Sequence, residues 1–252
     1  MKSRICICWI GLSLMLPAPL SAQAIGNPII YEKSGQLTVS ATGGFGRFDV
    51  DNETFMSDRY LFKASYGPIE ELHLFGRFGI ARLHVGDWFF AGTKPALAYG
   101  GGVHLRFLNA RKAHVMAFAT GQVFRFISQE DSEASVTIGG EQWTRFRETE
   151  HDWLEYGGAL GMIYDGKWVD FYGGCELLML DLVRSRRETL EGKSGPVFSS
   201  ERSGDHLRET SYRPFVGIDL ALPSRLKLTL EVRGTDFTDG AVFIGLSQRG
   251  SP

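Results

Sequence analysis

The sequence predicts an all-β protein, a single antiparallel transmembrane β-barrel of about ten strands (8–12). Three observations carry that expectation. The chain opens on an export signal. Apolar residues then alternate with glycine and charge over runs of about nine to eleven residues, the length of a tilted membrane strand. Short turns, finally, alternate with long polar connections.

The opening "MKSRICICWIGLSLMLPAPLSAQA" sets Lys2 and Arg4 before an apolar stretch that ends at Pro17 and Pro19, then Ala22-Gln23-Ala24, a small-x-small cleavage pattern. Residues 1–24 read as a cleaved signal peptide and residues 25–252 as one barrel domain. A retained helical anchor needs roughly 20 apolar residues, and this run is shorter. The full chain carries 27 Lys and Arg against 29 Asp and Glu. Loss of Lys2 and Arg4 makes the remainder more acidic, which argues against nucleic-acid binding. Cys6 and Cys8 leave with the signal, so Cys175 stands alone and no intramolecular disulfide is expected. The 31 glycines, many aromatics and lack of helical periodicity all favour strands.

Each hairpin follows from its turn. In "YDGKW", Asp165-Gly166 reads as a two-residue turn. That register pairs Met162 with Val169, Leu160 with Phe171 and Glu155 with Glu176. Side chains alternate between faces, so Leu154, Tyr156, Leu160, Met162, Phe171 and Cys175 share an apolar face. Glu155, Ala159, Ile163, Trp168, Asp170, Tyr172 and Glu176 share the other. Around "YGPIEEL", Tyr60, Phe62, Ala64, Tyr66, Leu74, Phe78 and Ile80 oppose Arg59, Lys63, Ser65, His73 and Arg77. Around "LPSR", Val216, Ile218, Leu220, Leu226, Leu228, Leu230 and Val232 oppose Asp219, Lys227, Glu231 and Arg233, with Asp219 facing Lys227. Across the short link 108–113, Leu97, Tyr99, Val103, Leu105 and Phe107 oppose His104 and Arg106. Longer polar connections are expected near 46–57, 84–95, 128–152, 183–210 and 234–240, with both ends of the domain on the short-turn side.

A soluble sandwich also alternates, but its strands usually run about 5–6 residues. Backbone crossing hydrocarbon must pair all its donors and acceptors, so a sheet crosses only as a closed barrel. Tyr60, Tyr66, Trp88, Phe89, Trp143, Trp153, Tyr164, Trp168, Tyr212 and Phe237 sit near strand ends, as interfacial girdles do. A soluble periplasmic barrel or sandwich that binds a ligand is the alternative fold.

The signal ending in "LSAQA", the stretches "DRYLFKASYGPIEELHLFGRFGIARL" and "YGGGVHLRF", and the final "DGAVFIGLSQ" together resemble the small, porin-like outer-membrane β-barrel proteins of diderm bacteria. The resemblance is one of pattern over most of residues 25–252. It implies an outer-membrane location after Sec-type export, short periplasmic turns and long extracellular loops. It also implies contact with outer-membrane lipids, with lipopolysaccharide and with the barrel assembly machinery. No cofactor is implied.

The expected lumen network is Lys63, Arg77, His104, Arg106, Glu155, Asp170, Glu176, Asp219, Lys227, Glu231 and Arg233. Barrels of about eight strands are filled by their own side chains, and a ten-stranded one lies near that end. Structural ion pairs are therefore expected, with a narrow path for small solutes as the second reading. Glu155 beside Glu176 has the composition of an acid–base pair. A barrel hydrolase acting on lipid A or peptide would draw on His84 with Asp87, His151 with Asp152, or Asp205 with His206. Neighbours along a strand point apart, so none of these forms a dyad by itself, and no enzymatic role is expected. No ligand set suggests a metal. The long charged connections 128–152 and 183–210 are the expected places for an extracellular ligand.

Overall fold

A computed structural model describes residues 34–51, 53–85, 93–110, 114–166, 168–192, 195–223, 226–234 and 240–249. The signal segment lies outside them. The strands are β1 (Leu37–Val50), β2 (Glu53–Ile69), β3 (Leu72–Val85), β4 (Thr93–Lys94), β5 (Ala96–Ala110), β6 (Val115–Ile138), β7 (Glu141–Tyr164), β8 (Val169–Gly192), β9 (Gly195–Ala221), β10 (Leu226–Gly234) and β11 (Gly240–Arg249). Ten of them pair antiparallel, each with its neighbour, and β11 closes on β1. The two-residue β4 prolongs the line of β5 along β6.

The stagger of the ring can be read from the pairs. From Asp219 the ladder runs through Thr229, Gly245, Thr42, Leu61, Gly79, Ala98, Phe126, Trp153 and Leu182, and returns to β9 at Leu207, twelve residues from its start. For ten strands that shear inclines each strand by about 40° to the axis, within the range of closed barrels.

Alternation places the two faces as the sequence predicts. Phe62, Phe78, Leu97, Leu160, Met162, Phe171, Val216 and Val232 are exposed on the outside. Lys63, Arg77, Glu155, Asp170, Glu176, Asp219, Glu231 and Arg233 are buried inside. The apolar exterior runs on β5 from Leu97 to Phe107, an axial height of about 25 Å at that tilt. Its upper edge is marked by outward ion pairs: Arg82 with Asp58 at 2.7 Å, Arg125 with Asp152 at 2.6 Å, and Arg208 with Asp181 at 3.2 Å.

Register is where the structure departs from the sequence reading. Tyr164 faces Phe171, not Lys167, so the paired positions are separated by six residues instead of two. The Asp165 N–H donates to the His114 carbonyl, and the Trp168 carbonyl accepts from the Ala221 N–H, so the turn is tied to its neighbours instead of closing on itself. The slip is an even number of residues, so every side chain keeps its face. Glu155 consequently lies opposite Leu180 and Glu176 opposite Ala159, not opposite each other. Asp219 likewise faces Thr229, while Lys227 faces Ala221.

Three expected loops are strands. The 46–57 connection is a tight hairpin with Val50 facing Glu53 and Asp51 in the left-handed region at φ 53°. The 128–152 connection continues as a ladder to Ile138 opposite Glu141, turning on Gly139 and Gly140 at φ 61° and 87°. Both turn residues need positive φ there, which glycine supplies without strain. The 183–210 connection pairs as far as Gly192 with Gly195. Since β7 also pairs with β8 up to Thr144 and Glu191, the two hairpins fuse into one four-stranded wall. It rises about 25 Å above the apolar exterior.

The girdle expectation holds for Tyr60, Tyr66, Tyr164 and Tyr212, which are exposed outward; Trp168 is exposed in the turn before β8, and Trp153 is fully buried in the lumen. Its parity is that of Glu155, and a side chain follows its pleat whatever its chemistry. Trp143 is half-buried near the top of the wall, and Trp88, Phe89 and Phe237 lie outside the described residues.

Candidate functional site

The interior is built in three layers. At the short-turn end, Met116, Phe118, Ala159, Ile163, Tyr172 and Phe215 pack together. Asp170 there meets Lys227 Nζ at 2.5 Å, and Asp219 accepts from Thr229 Oγ1 at 2.6 Å. Lys227, expected opposite Asp219, thus pairs with Asp170 from a register position facing Ala221.

The middle layer is ionic. Arg233 Nη1 lies 2.6 Å from Glu176 and its Nη2 3.0 Å from Glu231. Tyr172 Oη donates to Glu231 at 2.9 Å. Gln122 donates to Glu176 at 2.9 Å and accepts from Arg77 at 3.3 Å. Lys63 Nζ sits 3.1 Å from His104 Nε2, whose other ring nitrogen is 2.7 Å from Thr120 Oγ1. Higher up, Arg59 holds Glu155 through both terminal nitrogens and donates from Nε to Ser57 at 2.9 Å. Glu155 also accepts from Trp153 Nε1 at 2.7 Å. Buried charge at this depth is stabilised by pairing and hydrogen bonding: Glu155, Glu176 and Glu231 each have an arginine partner, while Arg77 is held by its bond to Gln122 and Lys63 lies against His104.

An aromatic layer covers the ions. Trp153 packs on Phe48, Phe55 and Phe126 with ring centroids 5.4, 5.9 and 5.9 Å away. The Arg59 guanidinium lies within 6 Å of the rings of Phe48, Phe124, Phe126 and Trp153, a cation–π arrangement strengthened by desolvation. Leu83, Leu178, Leu180, Leu182 and Phe243 complete the layer.

Of the predicted lumen residues, Arg106 sits half-buried at the rim, donating to the Glu70 carbonyl, and Lys227 is half-buried at the short-turn end. The sequence reading put Arg59 on the charged face without naming it in the lumen network, and it left out Arg213, Gln122 and the aromatic layer. Parity was the available signal: Arg59 alternates with Lys63, and Trp153 with Glu155. The proposed Glu155–Glu176 pair does not form, because each carboxylate is held by its own arginine.

The histidine candidates separate in the same way. His151 points inward and Asp152 outward to Arg125, which grips it with two bonds of 2.9 and 2.6 Å. His206 binds Asp181, not Asp205. Asp87 lies outside the described residues. Ser128 faces His151 across the ladder, with Glu130 Oε2 3.9 Å from His151 Nε2. The three are not linked, however. Ser128 Oγ accepts from the Leu83 N–H at 3.3 Å, and neither His151 nitrogen has a hydrogen-bond partner. Burial, reinforced by the nearby Arg184 charge, pushes His151 down to about 4. Burial raises the Glu130 carboxyl.

An even-stranded antiparallel barrel with an apolar exterior and an ion-paired, aromatic-capped interior defines the class of this protein. No family model matches the sequence, and no curated protein does. Among solved structures, the chain is similar to the transport unit of the autotransporter AIDA-I from Escherichia coli, at 9% identity over 88% of this chain and 92% of that one, with a TM-score of 0.40. It is also similar to the translocator domain of the autotransporter NalP from Neisseria meningitidis, at 10% identity over 86% and 89% with a TM-score of 0.44. A third likeness is to an outer membrane channel from Pseudomonas putida F1, at 11% identity over 89% and 100% with a TM-score of 0.39. All three are likenesses of fold alone.

Proposed function

We propose that the chain is an outer-membrane barrel whose lumen is a sealed structural core and whose contacts with other molecules are made by the wall above the membrane. The exterior supports the membrane reading: an apolar band of about 25 Å bounded by charge is the profile of a transmembrane barrel. A soluble barrel would turn these side chains inward. The aromatic layer carries the functional reading. Phe55, Phe124, Phe126 and Trp153 have 0% exposure beside the Arg59–Glu155 pair, which supports a lumen closed at that level among the described residues. Lipopolysaccharide surrounds the upper edge, where Arg125 and Arg208 face outward.

Planar-bilayer recording tests this. Folded protein, identified by a heat-dependent shift in gel mobility, should leave the bilayer electrically silent in molar potassium chloride. Discrete conductance steps that persist across preparations overturn the sealed lumen.

A further inference from the structure

Above the apolar band β6 continues to Ile138, and from Asp131 to Ile138 its second edge meets no strand among the described residues. The matching edge of the wall, on β9, is guarded. It contains Pro196, two register breaks opposite Arg184/Ser185 and Leu190/Glu191, and Gly204 at φ 94°. Such interruptions are how proteins keep an edge from pairing with other chains. β6 has none of them. Its register with β7 is unbroken from Val115 to Ile138. The eight residues "DSEASVTI" include no proline, glycine or basic side chain and end in three β-branched residues. All but Val136 are exposed.

The chain itself shows what this edge accepts. β4 pairs antiparallel with Gln129 and Glu130 just below it, and Lys94 Nζ reaches Asp131 at 2.5 Å. A strand continuing that ladder upward would next meet Glu133, on the face of Asp131 and without an ion pair among the described residues. On the opposite face it would meet Ala134, Val136 and Ile138. Directly opposed side chains decide the fit of an added strand, so the fitting sequence alternates basic and apolar residues. A second copy of this chain does not supply it. Two barrels in one membrane run their β6 strands in the same sense, whereas antiparallel pairing of identical edges needs opposite senses.

We propose that the β6 edge from Asp131 to Ile138 is a strand-addition site for a segment of another polypeptide, extended and alternating basic with apolar residues. The proposal rests on the preceding reading only in that the wall stands clear of the bilayer.

The test uses the full barrel in detergent micelles and a fluorescent peptide of about ten residues alternating valine and lysine. A valine–glutamate peptide serves as the comparison. The lysine peptide should bind at least about tenfold more tightly, the ratio expected from one or two cross-strand ion pairs and their reversal. Val136→Lys and Glu133→Lys should each abolish that preference, while Ser199→Lys on the guarded β9 edge leaves it intact. Absent binding, equal binding of the two peptides, or indifference to Val136→Lys overturns the assignment. The heat-dependent gel shift of the same samples reports separately whether the barrel has formed.

Discussion

Arg59 and Glu155 offer the sharpest test of the interior. The Arg59 side chain is 0% exposed, both its terminal nitrogens bond Glu155, and four aromatic rings surround it. Glu155→Gln keeps the shape and the acceptor for Trp153 but removes the compensating charge. The guanidinium, 0% exposed, is then left without its counter-charge. Breaking a buried pair from one side costs about 3–5 kcal/mol. Part of that is the cost of buried donors left with weaker acceptors, about 1–3 kcal/mol each. Replacing both partners by leucine removes the charge problem and should cost less than either single change. Equilibrium unfolding in guanidinium chloride, followed by tryptophan emission, compares Glu155→Gln, Arg59→Leu, Glu155→Leu and the double leucine variant. If Glu155→Gln costs under about 1 kcal/mol, or if the double variant equals the sum of the singles, the ion pair is not enclosed as described.

Two further outcomes follow from single contacts. His151 is held near pKa 4 when folded, against an ordinary value of 6.5, so between those values the unfolded chain binds a proton that the folded one refuses. Its contribution is therefore present above about pH 6.5 and lost as pH falls towards 4, up to about 3 kcal/mol. The denaturant midpoint of His151→Gln should fall less steeply than wild type over that range, and identical slopes would remove His151 as the cause. At Gly217, a Cβ would come within 2.3 Å of Tyr172 Oη, the group that donates to Glu231. Gly217→Ala should thus lower stability by about 1–3 kcal/mol. Gly76→Ala, where the added carbon meets nothing within 4 Å, should be neutral in the same unfolding assay. Equal effects would refute the close packing at Tyr172.

Part of the site was legible because a strand has a period of two. Once Lys63, Arg77 and Glu231 are read as inward, every residue of the same parity follows, including Arg59 and Trp153. What hid Trp153 was composition: an aromatic near a strand end looks like a girdle residue. The wall was hidden for a related reason. Charged, serine-rich stretches such as 183–210 read as loops, although Gly139-Gly140 beyond Val136-Thr137-Ile138 is a hairpin signal. In a wall wetted on both faces, strands need no apolar stripe, so hydrophobic alternation disappears while the hydrogen-bond ladder continues.

The sequence by itself determined the two faces of the strands through the membrane, the even number of strands and the apolar exterior, since these depend on alternation and on the need of a membrane-crossing sheet to close. Only the tertiary structure decided who meets whom. Register depends on turn width, and the turn after Tyr164 was set by bonds to His114 and Ala221, residues distant in sequence. That slip gave Glu155 to Arg59 and Glu176 to Arg233. Ion pairs across a closed ring join strands that local pattern cannot bring together, so their partners become visible only when the cylinder is complete.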